Sequence, residues 1–336
     1  MFPSDATRSF SAVAERLPHP IPYQGSKRVL AGRILGVLGP RRFATLHEPF
    51  AGSAAITLAA AARGLARRFV LGDSLASLVA LWDRIVAEPD RTAERYRAVW
   101  EAQAVEGAAA HYARVRAEFN ADRDPIKLLY LLARCVKNAP RFGRAGAFNQ
   151  SADHRRAGMR PERMATQIAG ASALLTGRVT TFAGDAEACV ARAGPDDLVY
   201  LDPPWQGTTE GADARYHQGF PRARLEALLA GLNARRVPWL LSYDGRSGAR
   251  TYGPPLAPEL VGGRIELAAG RSAQSTLSGR AEETVESLYV APALGLDGAP
   301  HPAPGLASDG ARARPAVGRA APARASPEPV SPGLPP

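Results

Sequence analysis

Five short apolar runs, most of them closing on a turn that opens a helical stretch, set the strongest limit on how this chain folds. FATLHEPF leads into SAAITLAAAARG, RRFVLGDS into LASLVALWDRIVAE, and RVTTFAGD into AEACVARA; DLVYLDPP precedes PRARLEALLAGLNARR, and PWLLSYDG follows. Strands that return through helices in this rhythm predict parallel βαβ units, hence an α/β fold with a doubly wound, mostly parallel sheet. Residues 88–175 break the rhythm. They carry the helical patterns AERYRAVWEAQ, AHYARVRAEF, PIKLLYLLARCVK and PERMATQIAGASALL, with an irregular arginine-rich piece from Arg141 to Arg163. The stretch is expected to be a helical lobe inserted between the second and third strands, with residues 1–87 and 176–293 as the two parts of the core.

From residue 294 onward Pro, Ala, Gly, Ser and Arg dominate, with almost no aromatic or branched residues. Such a segment buries too little apolar surface to offset its ordering entropy, so a disordered tail is expected over 294–336. No run approaches the roughly 18 to 20 uninterrupted apolar residues of a membrane helix. The opening MFPSDATRSFSAVAERLP also lacks a charged head followed by an apolar block, so no membrane association is expected. Cys135 and Cys189 have no Cys or His at metal-ligand spacing, so they read as buried fillers, with no disulfide and no metal site. The formal charge of +10 points to a polyanionic partner, although solubility alone would also explain it.

Two acids end consecutive strands. Glu48 precedes the small-residue turn of Phe50, Ala51, Gly52 and Ser53, where the backbone can approach a nucleotide-like ligand at the carboxyl edge of the sheet. Asp73 ends the next strand, placed for ribose hydroxyls or, alternatively, as a helix cap. DLVYLDPPW is the most informative segment. An apolar strand delivers Asp202, Pro203, Pro204 and Trp205 to the same edge. There an Asp oxygen and a Pro carbonyl make an acceptor pair for an amino group, and the aromatic ring offers a stacking face for a planar base.

In segment order, PYQGSK, EPFAGSA, VLGDS, the inserted lobe with RFGRAGAFNQ, TFAGDA, LDPPW and LLSYDG, the chain resembles the α-group, Dam-type DNA adenine methyltransferases over roughly Pro22 to Val290. The resemblance implies a Rossmann-like methyltransferase core that transfers a methyl group from S-adenosylmethionine to the exocyclic amino group of adenine. It places Tyr23 and Lys27 near the methionine part of the cofactor, with Lys27 as a partner for its carboxylate. Glu48, Phe50 and Gly52 would form the cofactor turn, Asp73 would hold the ribose, Asp185 would meet the cofactor's adenine, and Asp202 to Trp205 would hold the target base. Two positions depart from the family pattern: Ala54 stands where a second turn glycine is common, and Trp205 where Tyr is usual.

A base inside a duplex cannot reach such a pocket, so the resemblance implies a flipped-out adenine, with double-stranded DNA as partner and room for a cognate restriction endonuclease. The setting it implies is cytoplasmic and nucleoid-associated, bacterial or phage-encoded. The same chemistry on RNA, and a catalytically silent DNA-binding protein of the same fold, remain open. Six arginines between Arg141 and Arg163, interleaved with Phe142, Phe148 and glycines, suit phosphate contacts. Arg144, Arg155, Arg156 and Arg160 are the candidates for DNA binding. Tyr216 to Phe220 fall in the loop after the motif and are candidates for covering the base, while His47 and His217 show no partner in the sequence.

Overall fold

The structure, a computed structural model, describes residues 17–143, 145–205, 219–247, 250–271 and 283–295. All of them fall within one compact unit, Met1–Asp297. The tail expected from residue 294 therefore lies outside the described residues apart from Leu294 and Gly295, and Leu294 is buried in the core.

Strands β1 (Phe43–Glu48), β2 (Ala66–Asp73), β3 (Val179–Ala183), β4 (Leu198–Leu201), β5 (Trp239–Ser247), β7 (Gly263–Arg271) and β8 (Glu283–Val290) form one sheet in the order β3-β2-β1-β4-β5-β8-β7, and the short β6 (Arg250–Thr251) pairs with β5. The first five in that order run parallel, while β8 and β7 pair antiparallel to their neighbours. The expected doubly wound, mostly parallel α/β sheet is present. Central strands covered on both faces must be apolar throughout, and LVYL of β4 is buried at every position. VTTFA of β3 sits at the sheet edge and is only half-buried. Strands β6 and β7 were not foreseen, although GRIEL alternates as a half-buried strand does.

Helix α1 (Ala31–Gly36) precedes β1, and α2 (Ala55–Ala62), α3 (Ala76–Ala87), α8 (Ala186–Cys189) and α9 (Arg222–Ala234) belong to the sheet connections. Between α3 and β3 the chain runs through α4 (Pro89–Glu106), α5 (Ala108–Asp122), α6 (Pro125–Arg134) and α7 (Pro161–Leu175). Helix α6 starts sharply because Pro125 takes its first position, where no amide donor is needed, and Asp124 accepts from the Ile126 amide at 2.7 Å. The periodicity of PIKLLYLLARCVK predicts a helix to Lys137, but α6 ends at Arg134. Cys135 is extended and bridges to Ala152, and Lys137 takes a φ of 57°, so tertiary pairing overrides the local pattern. Among the described residues no helix is long and apolar enough to cross a membrane.

Strand order reverses between β1 and β4, which opens a crevice at their carboxyl ends. Glu48 and Asp202 project from that point.

Candidate active site

The turn after β1 is held from several directions. Gly52 takes a φ of +47°, its amide donates to Asp73 Oδ2 at 3.1 Å, and its carbonyl accepts from Trp82 Nε1 at 3.1 Å. Ala54 adopts a φ of 48° and is fully buried, so the turn does place a methyl group in the left-handed region, at a cost of about 1 kcal/mol. Asp73 also accepts from the Leu75 amide at 3.0 Å. It thus ties two strand ends together instead of capping α3, whose N-cap residue is Leu75. Gly72 makes this junction possible: a side chain there would meet Cys189 Sγ at 2.5 Å. Cys189 and Cys135 are both free and buried, and burial pushes both thiols up to about 12.

The segment PYQGSK lies across this turn and the next strand end. The Tyr23 ring passes 3.6 Å from where a Gly52 Cβ would stand, and Ser53 Oγ donates to Ser26 Oγ at 2.7 Å. Lys27, almost wholly buried, points inward. Its ammonium is 2.9 Å from Asp202 Oδ1, 3.2 Å from the Gly25 carbonyl and 3.5 Å from Glu286 Oε2. The sequence suggested a cofactor carboxylate as the Lys27 partner; the structure supplies two carboxylates of the chain itself.

Burial makes these acids weak. Glu48 is pushed up to about 8, first by loss of water and further by the charge of Asp202, against hydrogen bonds from Thr57 that include its amide at 2.9 Å. Asp202 is pushed up to about 6 by burial, which the neighbouring Lys27 ammonium opposes and Glu286 reinforces. Asp73 is raised by burial against its three backbone hydrogen bonds. The edge therefore concentrates acidic groups, two of them on the buried Lys27 ammonium, suited to a ligand that brings positive charge and N–H or O–H donors.

Trp205 is half-buried and lies against the β5–β6 hairpin. Its ring is 5.5 Å from that of Tyr252 at 58°, and its edge is 3.0 Å from where a Gly245 Cβ would stand. Gly245 therefore leaves the space in which the indole sits. Pro203 is buried and Pro204 half-buried beside it. Asp185 is exposed and pairs with Arg224 at 3.2 Å, and that guanidinium lies 5.0 Å over the ring of Phe220. Phe220 in turn meets Phe50 edge-on at 5.1 Å. Phe220 is the described end of the loop expected to cover the base; Tyr216, His217 and Gln218 lie outside the described residues. His47 has a neighbour that the sequence did not reveal, Asp197 at 4.0 Å, and burial lowers its basicity.

The arginine-rich segment is not a free loop. Tyr96 and Trp100 of α4 donate to the carbonyls of Met159 at 2.6 Å and Ala157 at 2.8 Å, and Tyr112 of α5 to that of Gln150 at 2.9 Å. Asn120 clamps Phe148, accepting from its amide at 2.7 Å and donating to its carbonyl at 3.0 Å. Buried Arg134 donates to the carbonyls of Asp153 and Arg156. Phe142 and Phe148 bridge as an antiparallel pair, and both rings are buried, so they are packing anchors and not part of the surface. Arg155, Arg156 and Arg160 are exposed, with Arg156 paired to Asp153 at 2.7 Å. Arg144 lies outside the described residues. Glu286, Tyr252, Gly245 and Arg224 were missed by the sequence reading, because each reaches the site from an element remote in the chain.

Comparison with known proteins identifies the family. Retron Ec67 DNA adenine methylase of Escherichia coli is 27% identical over 192 residues, which are 53% of this chain and 62% of that relative. The chain thus spans less than two thirds of that relative's length. The sequence profile of the D12 class N6 adenine-specific DNA methyltransferases matches residues 23–253, from Tyr23 beside the Gly52 turn through Trp205 to the β5–β6 hairpin. With that span and this strand order, the chain belongs to the D12 class N6 adenine-specific DNA methyltransferase family.

Proposed function

We propose that this chain transfers a methyl group from S-adenosylmethionine to the exocyclic amino nitrogen of an adenine flipped out of double-stranded DNA, within a short specific site. The observation that carries this reading is the placement of Asp202, Pro203, Pro204 and Trp205 at the switch point, with Lys27 2.9 Å from Asp202 and the Gly52 turn alongside. The name of the Escherichia coli relative, a DNA adenine methylase, agrees with it.

The edge fits the cofactor. Asp73 accepts from the backbone amides of Gly52, Ser74 and Leu75 and keeps a lone pair for a ribose hydroxyl, while Gly52 brings bare backbone close to the ligand. The buried acids favour a cationic ligand. S-adenosylmethionine supplies an electrophilic methyl group on a sulfonium.

The chain's own residues must then make a poor nucleophile competent. The adenine amino nitrogen shares its lone pair with the ring. Hydrogen bonds from its protons to Asp202 and to the Pro203 carbonyl would favour a pyramidal nitrogen with that pair directed at the methyl group. Trp205 would hold the ring plane and replace part of the lost stacking. Asp202 need only accept a hydrogen bond, because the nitrogen becomes acidic once methylated and its proton can leave to Asp202 or to solvent.

The test is nucleoside analysis after incubation with S-adenosylmethionine and either duplex DNA or structured RNA. N6-methyladenine in the duplex alone supports the reading; methylation confined to the RNA, or none in either, overturns it. Modification-sensitive sequencing of host DNA then reads the site.

A further inference from the structure

Strand β8 runs antiparallel to β5, so its first residues lie at the same edge as the carboxyl ends of the parallel strands. Glu286 stands there, opposite Gly245, just past a register shift between Ser242 and Gly245. Glu286 shares a strand face with Leu288 and Val290, both buried, an unusual position for a carboxylate. Its Oε2 is itself buried and accepts no hydrogen bond among the described residues, yet it lies 3.5 Å from Lys27 Nζ. A carboxylate kept there without a full set of donors costs stability, and in enzymes such a cost is commonly retained where it serves the chemistry.

We propose that Glu286 is a positioning residue of the methyl-transfer site, which holds the Lys27 ammonium between two carboxylates so that one oxygen of Asp202 is occupied and the other is left for the incoming amino group. This rests on the methyl-transfer reading above. The geometry is a chain of three: Glu286 from β8, Lys27 from the turn before α1, and Asp202 from the end of β4. With the Gly25 carbonyl on a further ammonium proton at 3.2 Å, the Lys27 head is held on several sides and its direction toward Asp202 is fixed. Removing Glu286 would free the ammonium to swing or to sit symmetrically on Asp202, competing with the substrate for both oxygens.

Among the described residues, the other titratable groups around Asp202 are Glu48 from β1 and the phenol of Tyr200 from β4, which bonds Ser242 of β5 at 2.8 Å. Tyr200 is raised by burial and then by the charge of Asp202, with Glu48 and Glu286 adding, as expected of one cluster. Within it the two partners pull Asp202 in opposite directions: Lys27 lowers its affinity for a proton and Glu286 raises it.

The experiment follows the Asp202 carboxyl by carbon-13 NMR titration, alongside kcat and cofactor affinity, in the full chain and in Glu286→Gln and Lys27→Met. Glu286→Gln should move the Asp202 titration, and with it the acid limb of kcat, down by about half a pH unit or more, and Lys27→Met should move both up. Glu286→Gln should also lower kcat at least tenfold while S-adenosylmethionine affinity stays within about threefold. A merely structural glutamate would lower melting temperature without these opposed shifts. Unchanged Asp202 titration in Glu286→Gln, shifts of the same sign in both variants, or unaltered kcat would overturn the proposal. The NMR titration needs no turnover, so opposed shifts in a chain that methylates nothing would leave this chain of charges standing and refute the methyl-transfer reading alone.

Discussion

The carboxyl edge of the sheet and the irregular segment from about residue 139 to 160 both bury polar groups away from water, and they satisfy them in opposite ways. At the edge, Asp202 and Glu286 hold the buried Lys27 ammonium between them, Glu48 and Asp73 end the neighbouring strands, and burial raises Glu48, Asp73 and Asp202. In the irregular segment the acceptors are backbone carbonyls at depths from buried to exposed, and Tyr96, Trp100, Tyr112, Asn120 and Arg134 each deliver a donor to one or more of them. The edge keeps acceptor capacity in reserve, as a site that must bind donors and a cation requires. The segment uses these hydrogen bonds to fix a shape and turns Arg155, Arg156 and Arg160 outward.

That contrast can be broken first at Glu48. Its unfolded value is near 4.5 and its folded value about 8, so between these the native state holds a proton that the unfolded chain has lost. Stability from this group is present below about 4.5 and is lost as pH rises through about 8, at about 1.4 kcal/mol per pH unit. Glu48→Gln should remove this slope, a change of about 4 kcal/mol in the swing between pH 5 and 8, read by urea unfolding across pH. An unaltered slope would mean that Glu48 is ionised in the folded chain.

The next largest effect belongs to the segment. Arg134→Met should cost about 3 kcal/mol, because it removes two hydrogen bonds that the buried, charged guanidinium donates to the part-buried carbonyls of Asp153 and Arg156. Duplex affinity should fall with it while S-adenosylmethionine affinity, which the proposal assigns to the edge, holds. If cofactor affinity falls equally, the two regions are not separable. Asn120→Ala should cost less, about 1 to 2 kcal/mol, since water can reach part of the hairpin it clamps.

How visible each region is in the sequence follows from how it is held. The edge is built of turns that close within a few residues. EPFAGS and LDPPW therefore announce Glu48, Gly52 and Asp202 through residue types that few other backbones need. The clamps run between residues 63 apart for Tyr96 and Met159 and 57 apart for Trp100 and Ala157, and no local pattern marks a tyrosine whose hydroxyl meets a distant carbonyl. Phe142 and Phe148 show the limit most clearly. Set among arginines they read as surface aromatics, yet they pack edge-on at 5.5 Å inside the segment. Glu286 escaped for a related reason: it belongs to a strand whose partner β7 was not foreseen, so the edge it returns to could not be placed.

The smallest effects sharpen the contrast from outside. Ala at Arg155, Arg156 or Arg160 should change stability by no more than about 0.5 kcal/mol, because these side chains are exposed. Each that touches a phosphate should lower the salt slope of duplex affinity by roughly one unit, equally for cognate and scrambled sequences. Affinity and slope unchanged in all three would remove the outward face of the segment from DNA binding.

The central claim, that the chemistry is carried by the acceptor at the end of β4, is tested most directly by Asp202→Ala, with S-adenosylmethionine binding measured by calorimetry and methyl transfer to duplex DNA measured in a single turnover. Cofactor affinity is expected within about tenfold of the parent chain, since the Gly52 turn and Asp73 are intact, with no detectable transfer. Near-normal transfer by the variant would contradict it.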